Sequence, residues 1–184
     1  MNRQKIISVA NEKGGTGKTT TAVNLAAVFS CFGNHVLLID SDQQMNATSS
    51  LGYKDWGGKS YSDLLNGDIP IKDCIMMTPY CDLIPASHHL GVSEKNLAAT
   101  GNHFCLADAL ETVPEYDFVI IDCPPRMDSL VRNAFVAASD VIVPIDTGSY
   151  SLDGLMQVNA TIGMIKRHEN PKLRISGLLK VRIR

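Results

Sequence analysis

Gly14-Gly15-Thr16-Gly17-Lys18-Thr19 begins three residues after the apolar run Ile6-Ile7-Ser8-Val9-Ala10. Phosphate oxygens are held by main-chain N–H groups that point inward from such a turn and from the first turn of the helix behind it. The helix dipole there also favours negative charge. Glycine is needed because a side chain would block that approach. The order strand (6–10), loop (11–17), helix (18–32) is the context this motif requires. Lys18 is expected to reach the β and γ phosphates of a nucleotide, and the Thr19 hydroxyl to ligate Mg²⁺. Phosphoryl transfer then needs acidic groups near the γ-phosphate, to hold the metal and orient water. Asp40 and Asp42 close one apolar run, Leu37-Leu38-Ile39, and Asp122 closes another, Val119-Ile120-Ile121.

The elements that must position these groups follow from periodicity. Ala22, Leu25, Ala26 and Phe29 recur on one face of a helix over 19–32, and Gly33-Asn34 supplies its stop. Buried strands are predicted at 36–39, 116–121 and 141–143, with weaker ones at Leu83-Ile84 and from Ile175 to Ile183. Strands alternating with helices imply right-handed crossovers, hence an α/β fold: a doubly wound, mostly parallel sheet flanked by helices. Carboxylates at the ends of such strands gather on one edge of the sheet. The stretch from Tyr53 to Pro79 is predicted as a short-helix and loop excursion. Residues 1–184 are read as one domain.

Hydrophobic residues make up 45% of the 184, charged residues 20%, and the net charge is −2. This is ordinary for a globular protein and gives no global attraction to a polyanion, so any DNA contact must be local. Five cysteines without C-x-x-C spacing suggest reduced thiols, and a cytoplasmic location is expected. His88-His89 is read as a solvated pair, since adjacent side chains diverge. Cys123 is read as buried packing, and Met76, Met77, Met127, Met156 and Met164 as core filler. Lys166-Arg167-His168 is expected to complement a helix C-terminus. Lys180, Arg182 and Arg184 are expected on one solvated side of a strand.

The strict pattern G-x-x-x-x-G-K-[ST] fails, because Glu12 stands five residues before Gly17. Lys13-Gly14-Gly15-Thr16-Gly17-Lys18-Thr19-Thr20 instead resembles the deviant Walker A loop of the ParA/MinD P-loop ATPases, and these eight residues are the expected nucleotide contacts. The resemblance implies that Lys13 reaches across a nucleotide-sandwiched homodimer to the partner's phosphates. V-L-L-I-D-S-D-Q-Q-M-N-A-T-S-S-L-G is similar to the switch I of ParA/Soj-type partition ATPases. It implies that Asp42 positions the attacking water near Mg²⁺, with Asp40 in support; for Asp40 alone a helix-capping role weighs equally. Gln43 stands where the family usually has proline, and Met45 where it has glycine. Y-D-F-V-I-I-D-C-P-P resembles the family's Walker B and switch II. Asp122 would hold Mg²⁺ through water, and Pro124 and Pro125 would stiffen the switch. The likeness runs on through A-A-S-D-V-I-V-P-I-D and Ser151-Leu-Asp-Gly-Leu155, where Ile145-Asp146-Thr147 and Asp153 are near variants of family phrases.

The resemblance therefore implies a slow, partner-stimulated ATPase with ATP and Mg²⁺ as cofactors. Catalysis would rest on Lys13, Lys18 and Asp42. Its partners would be a second copy of itself, non-specific DNA and a ParB-like centromere-binding protein, with no integral membrane association. The protein would be cytoplasmic, and nucleoid-associated where DNA is bound. Rival readings are a MinD-like positioning ATPase and a non-hydrolysing nucleotide-gated scaffold. Family members continue past the position of Arg184, so weakened base recognition and DNA binding are expected of this chain.

Overall fold

The computed structural model describes residues 4–54, 56–113, 116–146 and 151–181, without the side chains of 151–153. Its elements are β1 (Lys5–Val9), α1 (Lys18–Cys31), β2 (Val36–Asp40), α2 (Asn46–Ser50), α3 (Tyr61–Leu65), β3 (Met76–Met77), β4 (Asp82–Ile84), α4 (Leu90–Thr100), α5 (Cys105–Leu110), β5 (Phe118–Asp122), α6 (Ser129–Ala137), β6 (Asp140–Ile145), α7 (Ser151–His168) and β7 (Arg174–Lys180). A 3₁₀ turn covers Ile71–Asp73.

The seven strands form one sheet in the order β3-β4-β2-β5-β1-β6-β7. Every pairing is parallel except β3 with β4. From β1 the chain moves to one side of the sheet, and from β5 it crosses β1 to build the other, so the carboxyl ends of β2, β5 and β1 lie side by side. The sheet is buried on both faces because its central strands alternate between two apolar layers. Leu37, Ile39, Val119, Ile121, Val141 and Val143 join the layer that includes Leu130, Phe135 and Val158 of α6 and α7. Ile7, Val9, Val36, Leu38 and Ile120 face the other layer with Ala22 and Ala26 of α1. Phe29 of α1 stacks on Phe118, ring centroids 4.3 Å apart.

The predicted strands are all present. The 53–79 excursion carries α3, the 3₁₀ turn and the two-residue antiparallel β3, which has too few residues to show a period. The last strand ends at Lys180, and Arg182, Ile183 and Arg184 lie outside the described residues. His88 and His89 are exposed in the turn before α4, and no metal-binding group of His, Cys, Asp or Glu occurs among the described residues. The five cysteines are free, and burial pushes the Cys123 thiol far up.

The methionine reading needs correction. Met77 is 85% exposed, Met156 68% and Met164 59%. Met77 sits on the edge strand, and α7 turns only the face of Val158, Ile162 and Ile165 to the sheet. Met76 and Met127 are half-buried against the core, in line with their reading. Lys166, Arg167 and His168 do close α7, and Arg167 Nε donates to the Gly163 carbonyl at 3.1 Å.

Candidate nucleotide site

The loop between β1 and α1 takes its shape from glycines in the left-handed region, Gly15 at φ 71° and Gly17 at φ 80°. Other residues adopt that region only at a cost. Gly17 is the N-cap of α1, which has no side-chain cap and no acid in its first turn. The positive end of the helix is thus offered to an anion. Inside the loop the Lys13 carbonyl accepts from Thr16 Oγ1 at 3.2 Å and from Lys18 Nζ at 3.1 Å. Lys18 is buried, and desolvation lowers its pKa while Asp122, Cys123 and Asp42 oppose that shift. A desolvated ammonium with one carbonyl partner is poised for an oxyanion.

A cavity of about 880 Å³ opens over this loop. Gly14, Gly15, Gly17, Lys18, Thr19 and Thr20 line its floor. Asp42, Gln44, Asn46, Ser49, Ser50, Lys54, Pro125 and Val181 form the walls. Seven of the eight loop residues expected to contact nucleotide therefore either line the cavity or, as Thr16 does, brace the loop from beneath. Lys13 does neither. Its ammonium turns away to Asp146 Oδ2 at 2.8 Å.

The acids divide by role. Asp42 reaches the cavity wall, and its Oδ1 accepts from Gln44 N at 3.0 Å, which pins the turn after β2. Asp40 does not face the cavity. It is fully buried and accepts from Thr48 N at 2.8 Å, Thr48 Oγ1 at 2.7 Å and Asp42 N at 3.2 Å. Thr48 Oγ1 is in turn within 3.0 Å of the Ala86 N–H. Asp40 is thus a structural cap for α2 that braces the Asp42 turn. Burial raises its pKa to about 6, against those hydrogen bonds.

Asp122, at the end of β5, is fully buried with neither carboxylate oxygen in a well-formed hydrogen bond. Burial, then Asp40, raise its pKa to about 8, and the nearby Thr19 side chain lowers it only in part. Buried polar atoms are rarely left unpaired. An orphaned acid beside Thr19, Lys18 and Asp42 fits a site for a cation or its water shell, which would favour the ionised form. The residues present thus fit Mg²⁺. Pro125 lines the cavity and Pro124 does not. Asp128, three residues on, caps α6 by accepting from Leu130 N and Val131 N.

Met45 gives the family's usual glycine a physical reason. Its φ is 54°, the one positive value outside glycine among the described residues. The side chain is nevertheless buried in the core, and apolar burial offsets the strain of that backbone.

Sequence reasoning missed the wall from Gln44 to Lys54, Val181, and the pair Asn11 and Gly154. Buried Asn11 donates from Nδ2 to the Pro144 carbonyl at 2.7 Å and accepts the Lys13 N–H on Oδ1 at 3.1 Å. A Cβ on Gly154 of α7 would lie 2.7 Å from that Oδ1. Gly154→Ala is expected to dislodge Asn11. Leaving the buried amide unpaired costs about 1–3 kcal/mol, against about 1 kcal/mol gained in helix propensity, so the variant should be net less stable by up to about 2 kcal/mol. Urea unfolding checks this; an equally stable variant would show that Asn11 yields freely.

A parallel sheet whose first strand feeds an uncapped helix through this loop, with acids at the ends of adjacent strands, defines a P-loop nucleotide-binding protein. A family model described as an AAA domain matches residues 4–175. The chain is 42% identical over 181 residues to the chromosome partitioning protein ParA of Myxococcus xanthus, covering 95% of this chain and 64% of that protein. It is 41% identical to the sporulation initiation inhibitor protein Soj of Bacillus subtilis, covering 95% and 71%. Among solved structures, cobyrinic acid a,c-diamide synthase from Mycobacterium smegmatis with bound ADP and magnesium superposes with TM-score 0.91 at 35% identity, over 96% of this chain and 74% of that one. A plasmid partition protein from Borrelia burgdorferi superposes with TM-score 0.79 at 27% identity, over 97% and 77%. The chain belongs to the ParA/Soj family of P-loop ATPases. It spans about two-thirds of the length of these curated relatives. No helix among the described residues is long and apolar enough to cross a membrane.

Proposed function

We propose that the protein binds Mg-ATP in the cavity over the phosphate loop, hydrolyses it slowly, and acts in DNA segregation as a nucleotide-dependent homodimer. The observation that carries this reading is the orphaned Asp122 set beside Lys18 and Thr19 at the open end of α1. That combination suits one cation and one polyanion. Thr19 and Asp42 would hold Mg²⁺ with Asp122 behind them, and the metal would neutralise charge on the phosphates. Lys18 would swing from the Lys13 carbonyl to the β and γ oxygens. Asp42 would orient water for attack on the γ-phosphate, and Pro124-Pro125 would pass the nucleotide state to α6. Non-specific DNA and a ParB-like protein are the partners that likeness to partition proteins supports, with the nucleoid as the place of action. The same fold serves a cobyrinic acid a,c-diamide synthase, so fold alone does not select the activity.

The test is release of phosphate from Mg-ATP, with and without DNA, beside sedimentation in ATP and in ADP. DNA-stimulated release and an ATP-specific dimer support partition. Asp42→Ala should retain labelled-ATP binding while losing about 10²-fold or more in turnover. Binding without turnover in the parent would instead favour a nucleotide-gated scaffold, the second reading. That reading has one observation in its favour, the strained Met45 in the switch turn.

A further inference from the structure

α6 packs against both α4 and α7, and a second cavity of about 470 Å³ lies where the three helices meet. Its apolar part is Met127, Met164 and Ile165. Its polar part consists mainly of donors, for Ser129, Thr161, Arg132, His103 and His168 all line it. Arg132 gives Nε and Nη2 to Glu169 Oε1 at 3.0 and 2.6 Å, and among the described residues its Nη1 has no partner. Asp128 is the one acid among the described lining residues, and its Oδ1 is already taken by Leu130 N and Val131 N. His103, in the loop between α4 and α5, is only 6% exposed, and its Nδ1 is buried with no hydrogen-bond partner. Desolvation, then the Arg132 guanidinium, lower its pKa against the pull of Glu169. The neutral ring offers one donor and one acceptor. Buried polar atoms seldom stay unpaired, and the nucleotide cavity does not include this one.

We propose that this cavity binds a small organic carboxylate, and that its occupancy is linked to the nucleotide site through residues 125–128. The donors set the charge of the ligand. Arg132 Nη1, with the His103 ring and the Ser129 hydroxyl beside it, suits a planar anion through charge-assisted hydrogen bonds. One negative charge fits and a second does not, since Glu169 and Asp128 stand close enough to repel it. Met127, Met164 and Ile165 set the rest of the ligand, which is apolar, and the volume is that of a small-molecule site. The exposed Met164 side chain thereby gains a reason to be apolar. The link to the first cavity is a single stretch of chain: Pro125 lines that cavity, and Met127 and Asp128 line this one. A shift of this stretch changes both. By reciprocity, a carboxylate and a nucleotide change each other's affinity by one and the same factor. The link rests on the reading of the first cavity as the Mg-ATP site, whereas carboxylate binding does not.

The test follows the methionine methyl groups of the nucleotide-free protein by NMR during titration with benzoate and with hexanoate, with benzamide as the uncharged control. At least one carboxylate should shift the Met127 and Met164 signals saturably, with Kd about 1 mM or below, and leave the exposed Met77 signal in place. Benzamide should bind about tenfold more weakly, for want of the charge-assisted bond. Arg132→Gln should also weaken carboxylate binding about tenfold. His103→Phe, which keeps a ring and removes both nitrogens, should weaken it about fivefold. If neither carboxylate moves Met127 and Met164 by about 10 mM, tenfold above the expected Kd, the site is overturned. That arm uses the parent protein, so it decides even where a variant does not fold. Benzamide binding as tightly as benzoate overturns the anion assignment, and an affinity untouched by both variants places the carboxylate elsewhere. Saturating carboxylate should then change the Kd for labelled Mg-ATP about fivefold, and an unchanged Kd overturns the link. Failure of the parent to bind labelled ATP would defeat the ATPase reading and the link with it, while the methyl titration still decides the site.

Discussion

Lys18→Ala is expected to lose about 10²-fold or more in affinity for labelled Mg-ATP, with no loss of thermal stability. A charge-assisted hydrogen bond to phosphate is worth about 1.5–3 kcal/mol, and about 3 kcal/mol corresponds to roughly 150-fold. The protein gains little from this ammonium when empty. Burial depresses its pKa, and the described structure gives it one hydrogen-bond partner, the Lys13 carbonyl. Truncation therefore removes a desolvated cation, whose loss the fold tolerates, along with the contact on which phosphate binding depends. A fluorescence titration in Mg²⁺ paired with a melting curve reads both. Affinity within about threefold of the parent would place the triphosphate elsewhere.

Asp122→Asn is expected to make the nucleotide-free protein more stable and the Mg-dependent binding weaker. The direction follows from proton counts. In the unfolded chain Asp122 ionises near its ordinary value of 3.8, whereas in the folded protein it stays protonated up to about 8. Between these values the folded state holds more protons than the unfolded one, so stability falls as pH rises and levels off above about 8. Four pKa units are worth up to about 5 kcal/mol, an upper bound because water entry relieves part of the burial cost. Asn carries no proton to lose, so the variant should match the parent near pH 4 and exceed it at pH 8. Asp40, whose folded pKa is about 6, keeps a smaller decline below pH 6 in both proteins. Mg²⁺ with nucleotide favours the ionised carboxylate, so it should raise the parent's melting temperature more at pH 8 than at pH 6 and leave the variant's response flat. Denaturant melts across that range check the claim. A parent whose stability rises from pH 5 to pH 8 would show that Asp122 is ionised and paired.

Together these two predictions describe a trade of stability for binding. Burial opposes the charged forms of both Lys18 and Asp122, and a bound cation and polyanion would offset that cost. Such stored cost is common at sites built for charged ligands.

The phosphate loop, α1, the apolar strands and the acids at their ends were legible in the chain because each depends on residues adjacent in sequence. A glycine-rich turn needs only its own φ angles, and a strand buried on both faces is a continuous apolar run. The same local logic failed for β3, which is two residues long, and for Met77, Met156 and Met164, whose exposure depends on what lies across from them. It assigned Asp40 only as far as two equal roles. The partner that decided between them, Thr48, is eight residues away on another element.

By itself, then, the sequence determined the class of fold and a place for phosphate, since main-chain geometry and apolar period are local properties. Tertiary structure alone decided which acid faces the cavity, that Asp122 is buried beside Thr19 and Lys18, that Gly154 must be small for Asn11, and that Lys13 rests on Asp146. Each of these is a meeting of groups far apart in the chain, and only the closing of the sheet brings them within bonding distance.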